Sequence, residues 1–212
     1  MNNKKPFLLL LLIIVGLFPI FAGSKNDCFF FPKGALADPS ASNKEESDQF
    51  SREWYSKHLI AMKEPSLSIP GQKPECAYRF LWLRTFHHPI SVRIEKWKDS
   101  VTVYSVELTG KGGYDPGKIK KKNKFELSSF EYEYLGKLLV GIDFWNMPTY
   151  EPVSEDGTYG VGVDGAQWIL EGNCGGKYHV VDRWSPEYCK YQELGLFFLK
   201  LSGLKILLED IY

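Results

Sequence analysis

Asp164, Glu171, His179 and Asp182 lie close together in VDGAQWILEGNCGGKYHVVDRWSP, residues 163–186. Carboxylates and an imidazole suffice for general acid and base chemistry when burial pushes their pKa values apart. Tyr178 and Trp184 stand beside them, each with an apolar body and a polar tip suited to recognition. Gln167 and Arg183 complete the polar set.

The element that must position these groups is a β-hairpin. Two segments of alternating polarity flank Asn173-Cys174-Gly175-Gly176, whose glycines supply the left-handed backbone a tight reversal needs. Pairing symmetrically about Cys174 and Gly175 places Leu170 opposite His179, Trp168 opposite Val181 and Ala166 opposite Arg183 on one face. The other face then carries Glu171 with Tyr178, Ile169 with Val180 and Gln167 with Asp182. In this register Asp164 is diagonal to Arg183, within reach of an ion pair, and Gln167 hydrogen-bonds Asp182; both are structural pairs. Glu171 and Asp182 share one face while His179 and Asp164 share the other, so the four do not converge on one substrate. The expectation is therefore a binding surface of Glu171, Tyr178, His179, Asp182 and Trp184, with Trp168 in the core and no catalytic residue assigned.

The rest of the chain reads as a small α+β domain. The 212 residues are 44% hydrophobic and 15% aromatic, enough for one domain with its own core. Its 26 basic and 26 acidic side chains cancel, which excludes a protein built to grip nucleic acid. Tyr78, Phe80 and Trp82, then Ile90, Val92 and Ile94, then Tyr104, Val106 and Leu108 mark three antiparallel strands. Ser128 and Glu131 form a capping box that opens a helix with Leu135, Leu138, Leu139 and Ile142 on its buried stripe. Ser185-Pro186-Glu187 opens a second, with Leu194, Phe197, Phe198 and Leu201 inward. Together with the hairpin this gives an antiparallel sheet of about five strands packed by two main helices over residues 76–212. Residues 25–75 read as a linker carrying one short amphipathic helix, from Phe50 to Met62, with His58 on its exposed flank.

Residues 1–24 have the three parts of a secretory signal: Lys4 and Lys5, an apolar run from Phe7 to Ala22, and the small residues Ala22, Gly23 and Ser24. The run is shorter than the ~20 residues that span a bilayer, which favours cleavage, with an uncleaved anchor as the alternative. Either way the protein is exported, periplasmic, secreted or anchored, and meets the membrane only through this segment. Four cysteines then allow three complete pairings. Cys174 at the turn and Cys189 beyond the far strand end are about 25 Å apart, too far for a bridge. Two bridges would thus join Cys28 to Cys174 or Cys189, and Cys76 to the other; with none, Cys76 and Cys189 are small buried hydrophobes.

Two motifs are discounted. Residues 112–118, GGYDPGK, fit a phosphate-binding loop in letter, but Ile119 replaces the magnesium-binding hydroxyl, and Lys120, Lys121, Lys122 and Lys124 replace the helix. They read as a wide turn with solvated lysines. His87 and His88 point to opposite sides of a turn and have no CxxC or HExxH beside them, so no metal and no cofactor are expected.

The strings YRFLWLRTFHHP, GGYDPGK, FWNMP, DGAQWILEG and YHVVDRWSP resemble a family of exported bacterial proteins without an assigned activity. The resemblance runs from about Tyr78 to Leu204 and carries no catalytic residue across. It implies a cell-envelope protein, expected here as a non-catalytic binding or assembly module whose partner is an envelope protein or a small ligand. The alternative is a small envelope hydrolase using the hairpin's carboxylates and histidine.

Overall fold

A computed structural model describes residues 30–69, 74–152 and 164–212. Six antiparallel strands form one sheet: β1 (Cys76–Arg84), β2 (Ile90–Trp97), β3 (Ser100–Leu108), β4 (Ile119–Glu126), β5 (Ala166–Cys174) and β6 (Lys177–Trp184), in the order β4-β3-β2-β1-β5-β6. Among the described residues three α-helices accompany it: α1 (Lys44–Met62), α2 (Ser129–Gly141) and α3 (Lys190–Leu201). The fold is α+β.

Both faces of the sheet are covered. Phe80, Trp82, Val92, Ile94, Trp168, Leu170 and Val181 meet Leu135 and Leu139 of α2 and Leu194, Phe198 and Leu201 of α3 in the larger core. Leu81, Leu83, Val106, Ile169 and Val180 point the other way and meet Tyr55, Leu59 and Met62 of α1, with Phe30, Phe31 and Leu36. Residues 30–69 are thus a third layer on the same sheet, where a linker with one helix was expected. His58, expected on an exposed flank, has no exposure.

The extra strand is β4, which contains the lysine run. Charged side chains on an edge strand oppose pairing with a second sheet, and Lys120, Lys121, Lys122 and Lys124 line this edge, with Lys120 Nζ 2.8 Å from Glu107.

Local chemistry sets the helix ends. Asn43 Oδ1 caps α1 by accepting from the Glu46 amide at 3.2 Å, so the helix starts before Phe50. The Ser128–Glu131 capping box forms at α2 as expected. Ser185 does not cap α3: its φ is +40°, its Oγ accepts from the Ala166 amide at 2.9 Å, and the helix begins only at Lys190.

The β5–β6 turn is Gly175-Gly176, with φ of +57° and +86°, the geometry of a two-residue primed turn. Centring on these two residues moves every cross-strand partner by two relative to the pairing about Cys174 and Gly175. Leu170 faces Val181, Trp168 faces Arg183 and Ile169 faces Asp182. A shift of two keeps each side chain on its assigned face.

Cys76 and Cys174 face each other on β1 and β5 and form a disulfide, with Cα atoms 4.1 Å apart. Cys189 is free and exposed rather than buried. Cys28 lies outside the described residues. The expectation of a signal or membrane-spanning segment is corrected here: among the described residues no helix is long and apolar enough to cross a membrane, and residues 1–24, on which it rested, lie outside them.

Candidate functional site

The face that carries Glu171, Tyr178 and Asp182 lies under α1, and the structure divides it into two polar centres. In the first, Glu171 pairs with Arg79 of β1 through both Nε and Nη2, while Tyr178 Oη donates to Glu171 Oε1 at 2.8 Å. Arg79 also lies 3.6 Å from Glu64 and donates to the Pro65 carbonyl. Glu64 in turn binds Arg93 at 2.7 Å. Burial opposes the Arg79 charge, but Glu171 and Glu64 beside it raise its pKa, so the guanidinium stays charged. With its groups satisfied by one another, this centre is a structural network.

The second centre is Asp182, whose exposure is 2%. Tyr55 Oη of α1 donates to Asp182 Oδ2 at 2.5 Å, and the Asp182 amide donates to the Thr149 carbonyl at 2.7 Å. Its second oxygen, Oδ1, is buried and has no hydrogen-bond partner among the described residues; neither has Gln167 Oε1. Burial pushes the Asp182 carboxyl up to about 7, against the Tyr55 hydrogen bond and nearby Arg183, which lower it. Asp182 and Gln167 line one cavity of about 230 Å³ with Asp38, Tyr150, Glu151, Arg183 and Trp184. A second cavity of about 230 Å³, lined by Phe50, Trp54, Tyr55, Leu83 and Gly112 among others, shares Gln167 and Trp184 with it.

Neither expected structural pair forms. Arg183 donates to the carbonyls of Pro148, Thr149 and Asp182, and its Nε lies 3.7 Å from Glu151. Gln167 sits opposite Trp184, one step from Asp182, and Asp164 is exposed. His179 is on the opposite face, where Nε2 donates to the Met147 carbonyl at 2.8 Å beside the Phe144 ring. Burial lowers its pKa. Asp182, Gln167, Arg183 and Trp184 therefore come together, whereas Glu171 with Tyr178, and His179, are each elsewhere. Trp168 is fully buried in the larger core.

No family model, curated protein or solved structure matches this chain.

Sequence reasoning missed Tyr55, Tyr150 and Asp38 at this site. The helical spacing of Phe50, Trp54, Tyr55, Leu59 and Met62 places Tyr55 on an apolar stripe, but nothing local shows a partner on a strand 127 residues away. Tyr150 and Asp38 sit in loops with no periodicity to read. His87 and His88 go to other partners: His87 Nδ1 is 2.7 Å from Tyr212 Oη, and His88 Nδ1 donates to the Gly110 carbonyl at 2.9 Å.

Proposed function

We propose that the protein is an exported, non-catalytic binding module that takes a small ligand in the paired cavities around Gln167 and Trp184. The observation that carries this reading is Asp182, a buried residue lining the cavity whose Oδ1 has no donor among the described residues. An unpaired buried polar group costs about 1–3 kcal/mol, and a ligand that supplies the donor recovers it. Each cavity, at about 230 Å³, lies just below the ~300 Å³ lower end of small-molecule sites. Aromatic walls with a few polar groups are the usual lining of such sites.

Work outside the cytoplasm is supported by the Cys76–Cys174 disulfide, since such bonds persist in oxidising compartments. The hydrolase alternative needs Glu171 and His179 beside Asp182, and one is paired with Arg79 while the other is on the opposite face.

Binding is tested by amide-resolved NMR of the protein against a small-molecule fragment collection. The expected result is shifts clustered at Gln167, Arg183 and Trp184, lost in Asp182→Asn. Shifts confined to other surfaces, or none, would overturn the reading.

A further inference from the structure

We infer that the ligand presents a protonated amine to Asp182 and lays an apolar, ring-sized body in the adjoining aromatic cleft. This inference rests on the paired cavities being a binding site and adds the ligand's chemical class.

Hydrogen-bond supply decides the polar end. Among the described residues, the two buried oxygens of this wall that lack a partner are Asp182 Oδ1 and Gln167 Oε1, and both accept when Asp182 is ionised. Three of the donor groups around the two cavities are spent. Arg183 Nη1 and Nη2 donate to backbone carbonyls, Tyr150 Oη donates to the Leu36 carbonyl at 3.0 Å, and Tyr55 Oη is taken by Asp182 Oδ2. A carboxylate or phosphate would meet acceptors. An ammonium group, which carries three donors and no acceptor, matches them.

Charge points the same way. Asp38, Glu151 and Asp182 line the polar cavity against one cation, Arg183, which Glu151 already faces at 3.7 Å. A cation in the cavity would also hold Asp182 ionised, since an opposite charge at contact distance favours the charged form.

The body of the ligand is set by the second cavity. Its walls are Phe50, Trp54, Leu83, Trp184 and the Gly112-Gly113 backbone. Phe50 stacks on Trp54 with centroids 6.2 Å apart, and Lys57 Nζ lies 3.4 Å from the Trp54 ring centre. Lys57 is itself spent on the Tyr114 carbonyl at 2.8 Å. The glycines matter because a side chain could not fit there: a Cβ on Gly112 would lie 2.5 Å from the Leu83 backbone. Gln167 and Trp184 border both cavities, and the proposed ligand would pass them to place its ring by the aromatic walls and its amine by Asp182.

Isothermal titration calorimetry of the full chain tests this with three probes of one shape: phenethylamine, phenethyl alcohol and phenylacetate. The amine is expected to bind at least tenfold more tightly than the alcohol, with no detectable binding of phenylacetate. Asp182→Asn is expected to remove the difference between amine and alcohol. Because that comparison is made on the wild-type protein, it holds whether or not the variant folds. Alcohol or phenylacetate binding as tightly as the amine, with NMR shifts at Gln167 and Trp184, would overturn the amine class while leaving the site. Silence from all three probes, with no such shifts, would overturn the site as well.

Discussion

Tyr55 of the first helix and Asp182 of the last strand are joined by a 2.5 Å hydrogen bond across 127 residues of chain, and both side chains are almost wholly buried. This contact ties the helix to the sheet at the cavity wall. It also satisfies only one of the two carboxyl oxygens, so the same pair that fastens the layers leaves the group that makes the site.

Asp182 gives the stability a pH dependence. Its folded pKa of about 7 lies above the ordinary 3.8, so between these values the unfolded chain has lost a proton that the folded chain keeps. Stability therefore falls as pH rises from about 4 to 7, by up to about 4 kcal/mol. Asp182→Asn removes this slope and makes the protein more stable than wild type at pH 8, as checked by urea unfolding across pH.

His58 acts in the opposite direction. Nδ1 donates to the Trp54 carbonyl at 3.0 Å, and burial lowers the pKa to about 4. The unfolded chain gains a proton near pH 6.5 that the folded chain takes up only near pH 4, so stability falls as pH drops through that window, by up to about 3 kcal/mol. In wild type the Asp182 and His58 slopes largely cancel. In Asp182→Asn the loss on acidification is exposed, and adding His58→Gln flattens it.

The Arg79 network predicts an order of effects. Glu171→Gln leaves Arg79 beside Glu64 at 3.6 Å, whereas Arg79→Met leaves Glu64 and Glu171 buried without it. Removing one partner of a buried pair costs about 3–5 kcal/mol. Thermal or urea unfolding should show Arg79→Met close to that loss and Glu171→Gln below it.

Reduction of Cys76–Cys174 opens a loop between residues 98 apart. Chain entropy puts such a cross-link at up to about 5 kcal/mol, and typical values are 2–4. Dithiothreitol should lower the unfolding midpoint of wild type by a comparable amount, while leaving that of a Cys76→Ala/Cys174→Ala variant unchanged.

Much of the fold was legible because alternation is a local signal. The facing of β5 and β6 side chains follows from parity, which survived a turn placed one residue early. The partners did not survive, and with them went the Gln167–Asp182 and Asp164–Arg183 pairs. The lysines of β4 hid a strand, because an edge strand is polar on the face it leaves to solvent and its ladder bonds leave no mark in composition. At the candidate site, Asp182, Gln167 and Trp184 were visible as polar or amphipathic groups on a hairpin. Their cavity was not, since it needs α1 and the loop carrying Tyr150 to fold over the strand from far away in sequence.

Carbon-13 NMR titration of the Asp182 side-chain carboxyl, in the full chain without ligand, tests the central claim most directly. A midpoint near 7 is predicted, because the group is buried with one oxygen unpartnered. A midpoint in the ordinary carboxylate range, near 4, would mean that Asp182 is solvated or fully paired, and would contradict the account of the site.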